Sequence, residues 1–369
     1  MKRLIGPALA VVLLVGAGLI VWRVLRPAEV LDRATGPYPA AAAPRAPGVT
    51  GRVAWAPLIV DGRIRVFAAE RQVRADAPVS ARTTYTPRWS FRRWPEQLSG
   101  VVAIGTTVVS RWSDGELVAI DGRTGDIAWR AAGPVAGGFS DSSRAVWTPG
   151  GLFTAGTTVL SAGAGRVAAV DVATGSVRWT AAADGCGFTT TGGSLICAGA
   201  SFDAAGGART GRSGTATPLG CGVARSGCGG FRDANGQGWL ATGPEPVRAP
   251  TVDAPDGTVA VVERRTAAGT ALSAFALSQG AAVVARSPLA DASEAWRWAP
   301  PAGQTVRVLG TSSDAVHLLT SAGDLVTVEP SGGTVRSVVP LGIGSPLGWQ
   351  VTDTYVAVES AESTVLAAA

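Results

Sequence analysis

Beyond residue 50 the chain alternates short apolar runs with breaks of Gly, Asp and Pro. Runs of that length, bounded by turn residues, predict β-strands. No convincing amphipathic helix is expected in this part of the chain. Self-similarity is the sharper test. Residues 116–129 and 166–179, fifty positions apart, share the pattern A-x-D-x-x-T-G-x-x-x-W. The first copy places it on Ala119, Asp121, Thr124, Gly125 and Trp129, the second on Ala169, Asp171, Thr174, Gly175 and Trp179. Weaker copies follow. Residues 324–336 keep strand, turn and strand, with Glu329 for the Asp, Gly333 for the Gly and Ser337 where the Trp stood. Residues 272–284 keep the strands and Gly280, and 201–207 keep Asp203 and Gly207. Equivalent positions fall at 121, 171, 203, 276 and 329, with a mean spacing of 52.

Each part of the unit has a physical task. Asp121 accepts turn N–H groups and Thr124 adds a hydroxyl to the same network. Gly125 supplies the positive φ that closes the turn. Trp129 has a large flat face to bury on a neighbouring unit, on the order of 200 Å². One hairpin cannot hide its inner face, whereas a ring of them can. The expectation is an all-β propeller of about seven four-stranded blades, with six and eight also compatible, over residues 51–369. Its first strands (52–69) and last strands (355–368) are expected to share a blade and close the ring.

The eleven-residue pattern resembles the tryptophan-docking motif of PQQ-like (pyrroloquinoline quinone-like) β-propeller repeats. These occur in quinoprotein alcohol dehydrogenases and in BamB-like outer-membrane assembly proteins. The chain resembles a membrane-anchored, actinobacterial-type member of that group. For a quinoprotein enzyme the resemblance implies a quinone and Ca²⁺ at the propeller axis, a catalytic Asp, and a disulfide between adjacent cysteines. No two cysteines here are adjacent, and the region is short for an eight-bladed enzyme. Asp121, Asp171 and Glu329 read as turn caps, and Asp253 to Gly257 as an ordinary turn. No loop offers the six or so converging oxygens that calcium needs. The sole histidine, His317, sits in an apolar strand and reads as a core residue, which also excludes multi-histidine metal sites. No catalytic residue, metal ligand or cofactor is therefore assigned, and a quinoprotein-type oxidoreductase is the competing reading.

The N-terminus adds a second feature. Residues 4–22 carry no charge and are flanked by Lys2, Arg3, Arg23 and Arg26. A helix of that length spans about 28 Å, close to a bilayer core. The expected division is a cytoplasmic end (1–3), a transmembrane anchor (4–25), a Pro/Ala-rich linker (26–50) and the propeller. A cleaved signal peptide competes with the anchor, but Trp22 and Arg23 stand where a small-residue cleavage site should be. Charge then changes meaning. Residues 1–29 hold four basic and one acidic residue, so the remainder carries +2 of the protein's +5. A nearly neutral domain lacks the footprint of a nucleic-acid binder.

Cys186, Cys197, Cys221 and Cys228 lie in a Cys/Gly-rich insert, 186–245, where the repeat signal fades. Four cysteines allow three pairings. A hairpin turning near Gly192 favours Cys186–Cys197, and a short glycine-rich loop favours Cys221–Cys228. A four-cysteine zinc site is the rival, without its usual knuckle spacing. Disulfides point to an exported location. Finally, Arg88, Trp89, Arg92, Arg93 and Trp94 cluster in one segment. They are either a partner surface or a blade strand with aromatics inward. The sequence thus predicts a single-pass membrane protein with its propeller on the extracytoplasmic side. It reads as a monomeric, non-catalytic scaffold for an envelope protein or ligand.

Overall fold

The computed structural model describes residues 16–17, 28–41, 45–80, 87–210, 215–253, 259–266, 269–279, 282–286 and 293–368, with backbone alone for 259–279. Its described strands form eight antiparallel sheets, at the upper end of the six-to-eight range. In chain order the blades cover 58–94, 98–132, 152–182, 188–203, 217–248, 259–298, 306–340 and 348–368. Blade 4 has three named strands, and a bridge between Phe202 and Arg209 begins a fourth. Within blades 2, 3, 5, 6 and 7 the strands run in simple up-and-down order, each pairing with the next in sequence.

The strands are rich in Val, Ala and Leu because both faces of a blade are covered by its neighbours. In blade 2, Val101, Val109, Leu117 and Ile120 are fully buried although they point to opposite faces. Ala119 and Ala169, the first residues of the two strong repeats, are also fully buried. A small side chain there lets the adjacent blade come close.

The ring closes through blade 8. Gly48–Val53 pairs with Thr364–Ala368, which pairs in turn with Tyr355–Glu359. The early part of the expected shared blade is thus confined to Gly48–Val53, and Leu58–Val60 and Ile64–Ala69 belong to blade 1. At that seam the Gln350 side chain accepts from Ile59 N at 2.9 Å and donates to Ile59 O at 3.2 Å.

Part of the expected linker, 26–50, is also built into the propeller. Ala28–Asp32 adds a fifth strand to blade 1, beside Trp89–Trp94. Glu29 there meets both Arg93, at 3.0 Å, and Arg130, at 2.6 Å. Prolines between Pro27 and Pro47 obscured these strands in the sequence.

Among the described residues no helix is long and apolar enough to cross a membrane. This corrects the expected transmembrane anchor, and with it the single-pass membrane placement and the membrane as a partner. Spanning a bilayer takes about 20 helical residues, whereas the helix between blades 2 and 3, α1 (Ser142–Trp147), has 6. Residues 4–22 lie outside the described residues, apart from Gly16 and Ala17. Helix α1 was itself not foreseen; Asp141 caps it by accepting from Arg144 N at 2.7 Å.

Candidate functional site

The repeat motif assembles as a spoke between blades. Trp129 of blade 2 donates its indole N–H to Val172 O of blade 3 at 2.8 Å. Its ring lies on Gly175, where an added Cβ would come within 2.7 Å of the indole. Trp179 repeats the arrangement on blade 4, donating to Ala204 O at 3.0 Å above Gly207 and stacking on Phe202 at 5.8 Å. The acceptor is always the residue after the motif Asp, and the glycine lies three further on. Gly125 and Gly175 have φ of 79° and 74°, so both the conformation and the overlying ring require glycine.

The polar residues serve the same frame. Asp171 accepts from Ala173 N and Thr174 N at 2.9 and 3.0 Å and pairs with Arg178. The Arg178 contact, followed by the Thr174 amide, holds its carboxyl below the usual range. Asp121 accepts from Arg123 N at 2.8 Å, and Thr124 Oγ1 accepts from Asp126 N at 3.1 Å.

Two further spokes were not read as such. Trp89 of blade 1 is fully buried and donates to Gly122 O at 3.0 Å, over Gly125. Trp296 of blade 6 donates to Pro330 O at 2.7 Å, over Gly333. Trp89 therefore cannot belong to a partner surface. Arg88 is likewise engaged, donating to Gly36 O, Pro37 O and Arg123 O at 2.7–2.8 Å. Arg93 pairs with Glu29, Asp114 and Glu116 and lies over Trp112 at 5.3 Å. Arg92 and Trp94 alone of the five are exposed, and Arg71 covers the Trp94 ring at 4.5 Å.

A buried cation escaped the sequence reading. Arg111 is 1% exposed in blade 2 and, among the described residues, forms no ion pair with a carboxylate. It donates to Gly150 O, Gly151 O, Pro134 O and Val135 O at 3.0–3.3 Å, stitching blade 2 to both ends of the segment that leads to blade 3. Burial pulls its pKa down to about 10. An arginine in the apolar strand Thr107–Trp112 was the available signal.

The cysteines are joined as Cys186–Cys197 and Cys221–Cys228. His317 is buried in blade 7, with Ser312 Oγ 3.0 Å from Nε2 and Thr327 Oγ1 3.4 Å from Nδ1. Burial drives its pKa down to about 4, against the pull of Asp314 and Asp353. Asp253 pairs with Arg248, which fits the turn reading; Asp256 lies outside the described residues.

A cavity of about 1050 Å³ opens among the described residues. Its wall comes from α1, Thr191 of blade 4, the Cys221–Cys228 loop of blade 5, the first turn of blade 7 and the first strand of blade 8. Contributions from such distant blades place it at the ring centre. Asp141, Asp353 and Glu359 are its acids, and Arg144 and Arg225 its cations. Burial raises the Glu359 pKa, partly offset by a Ser143 hydrogen bond. These residues do not fit a quinone with calcium. Asp141 Oδ1 already accepts from Ser143 Oγ and Arg144 N, and Asp353 Oδ1 accepts from Ser313 N. Among the described residues no three of His, Cys, Asp or Glu gather to hold a metal ion.

Residues 41–190 match the family model described as Outer membrane protein assembly factor BamB. That stretch covers blades 1–3 and the start of blade 4, and relates the propeller to the BamB type. No curated protein matches this sequence. Among solved structures, BamB from Moraxella catarrhalis is 14% identical, covering 93% of this chain and 100% of its own, at a TM-score of 0.45. The computationally designed Ika8 protein is 14% identical over 90% and 99%, at 0.49. The dihydro-heme d1 dehydrogenase NirN is 13% identical over 78% and 66%, at 0.46.

Proposed function

We propose that this propeller is a non-catalytic, monomeric scaffold outside the cytoplasm that binds an envelope protein or ligand. The carrying observation is how its conspicuous polar and aromatic residues are engaged. The motif Asp, Thr and Trp residues and the Arg88–Trp94 segment mostly hold blades together, and His317 is buried on its own hairpin. What remains for recognition is the central cavity and the turns around it. The BamB-type match over 41–190 supports the scaffold class, and two disulfides support an oxidising compartment.

Crosslinking on intact cells, followed by recovery of the protein, tests this directly. A discrete envelope partner is the expected product. Reconstitution with a quinone and Ca²⁺ should give no dye-linked dehydrogenase activity, and robust turnover would overturn the scaffold reading.

A further inference from the structure

The Cys221–Cys228 loop is anchored far from its own blade. Thr154 N, in blade 3, donates to Ser226 Oγ at 2.8 Å. Gly227 N donates to Thr189 Oγ1 of blade 4 at 3.1 Å, and Thr191 Oγ1 returns a bond to Gly227 O at 2.9 Å. Ala224 is 2% exposed, packed in the cluster of Val102, Val109 and Leu152 from blades 2 and 3. The loop therefore reaches from blade 5 across to its neighbours, and its backbone is fixed at both ends and in the middle.

Arg225 rides on that fixed backbone. Ala224 and Arg225 both have left-handed φ, 58° and 49°, which ordinary side chains seldom adopt. Yet the Arg225 side chain is exposed on the cavity wall. The other cavity cation, Arg144, has Asp141 at 3.5 Å, whereas no ion pair or hydrogen bond of the Arg225 guanidinium is present among the described residues. An exposed guanidinium on a fixed backbone, with no partner among the described residues and facing a cavity, is a ready receptor for a carboxylate. The rest of the wall fits a peptide around that carboxylate. Ser312 and Ser313 offer hydroxyls, Trp349 an indole face, and Asp353 and Glu359 acceptors for amide or ammonium N–H groups. Pockets for drug-sized ligands run to about 1000 Å³, so a cavity of about 1050 Å³ has room for several residues.

We infer that the central cavity binds a peptide by its carboxylate, with Arg225 as the principal cationic contact. This rests on the scaffold reading and supplies its site. The source of the carboxylate is either a free polypeptide C-terminus or an Asp or Glu side chain.

Isothermal titration calorimetry on the full-length protein separates these. The probes are N-acetyl pentaalanine with a free C-terminus, its C-terminal amide, and an amidated N-acetyl peptide with one central Glu among alanines. At least one carboxylate peptide should bind, and the all-alanine amide should bind at least tenfold more weakly. Arg225→Gln should cost at least tenfold, and Arg225→Lys should restore part of the loss. Preference for the free C-terminus or for the Glu peptide identifies the source. Absence of binding by both carboxylate peptides, or equal binding by Arg225→Gln, overturns the proposal. Circular dichroism and melting of the variants confirm that the fold is kept. A discrete crosslinked partner recovered alongside such a failure would leave the scaffold reading standing and remove only the cavity site.

Discussion

Blades 1–3 and blades 4–5 solve one problem in two ways. In the first group each blade sends a tryptophan into the next: Trp89 to Gly122, Trp129 to Val172, Trp179 to Ala204. In the second group the series stops. Trp239 of blade 5 turns back to donate to Asp233 of its own blade at 3.0 Å. This is also where both disulfides lie, Cys186–Cys197 at blade 4 and Cys221–Cys228 in blade 5. The spokes are contacts formed only in the folded ring. The disulfides act largely by restricting the unfolded chain. Covalent links therefore stand where the repeat has lost its packing device.

The largest expected effect tests the spokes. Trp129→Ala should destabilise by about 4 kcal/mol, since it empties a buried aromatic site. Equilibrium denaturation reads this, and a change below about 1 kcal/mol would break the comparison. Arg111→Met should follow at about 3 kcal/mol, because four carbonyls lose their donor.

Blade 7 receives a spoke from Trp296 and has Ser337 where its own would start. It supplies a test by pH. His317 stays neutral in the folded protein down to about pH 4, against an ordinary value of 6.5. Between these values the unfolded chain binds the extra proton. Stability is therefore full above pH 6.5 and falls by about 3 kcal/mol as pH drops towards 4. Thermal melts across this range should show that slope, and His317→Gln should flatten it.

Removing Cys186–Cys197 by paired serine substitution should cost about 2–3 kcal/mol. Hydrogen exchange should then quicken in blade 4 and leave the seam of blades 1 and 2 unchanged. The smallest effect belongs to the exposed turn. Thr174→Ala should cost at most about 1 kcal/mol, the usual worth of a local side-chain to backbone bond.

The repeat was legible because Asp, Thr, Gly and Trp recur at fixed offsets within one turn. Trp89 was missed as a spoke for the opposite reason. In sequence it stands about twelve residues beyond its preceding strand, Gln72–Asp76, so no motif at the repeat's spacing leads into it. The same loss of pattern hid Ala28–Asp32, whose pairing is with residues about 60 positions away rather than with its neighbours. The cavity was beyond sequence reading altogether. Its wall joins turns from several blades, and only the closed ring brings Arg225 and Asp353 around one space. Arg225 stands in the short glycine-rich loop between Cys221 and Cys228, where no motif singles it out.

Thr50 Oγ1 donates to Leu366 O, 316 residues further on. That single seam sets the timetable of biogenesis. The strand Gly48–Val53 is made before the blades that follow it, and its partner Thr364–Ala368 only after them. Through the making of all the intervening blades the ring stays open, with an unpaired edge exposed to wrong pairing. A chaperone that shields that edge until Thr364–Ala368 has been made would protect this protein more than it would an open stack of the same blades.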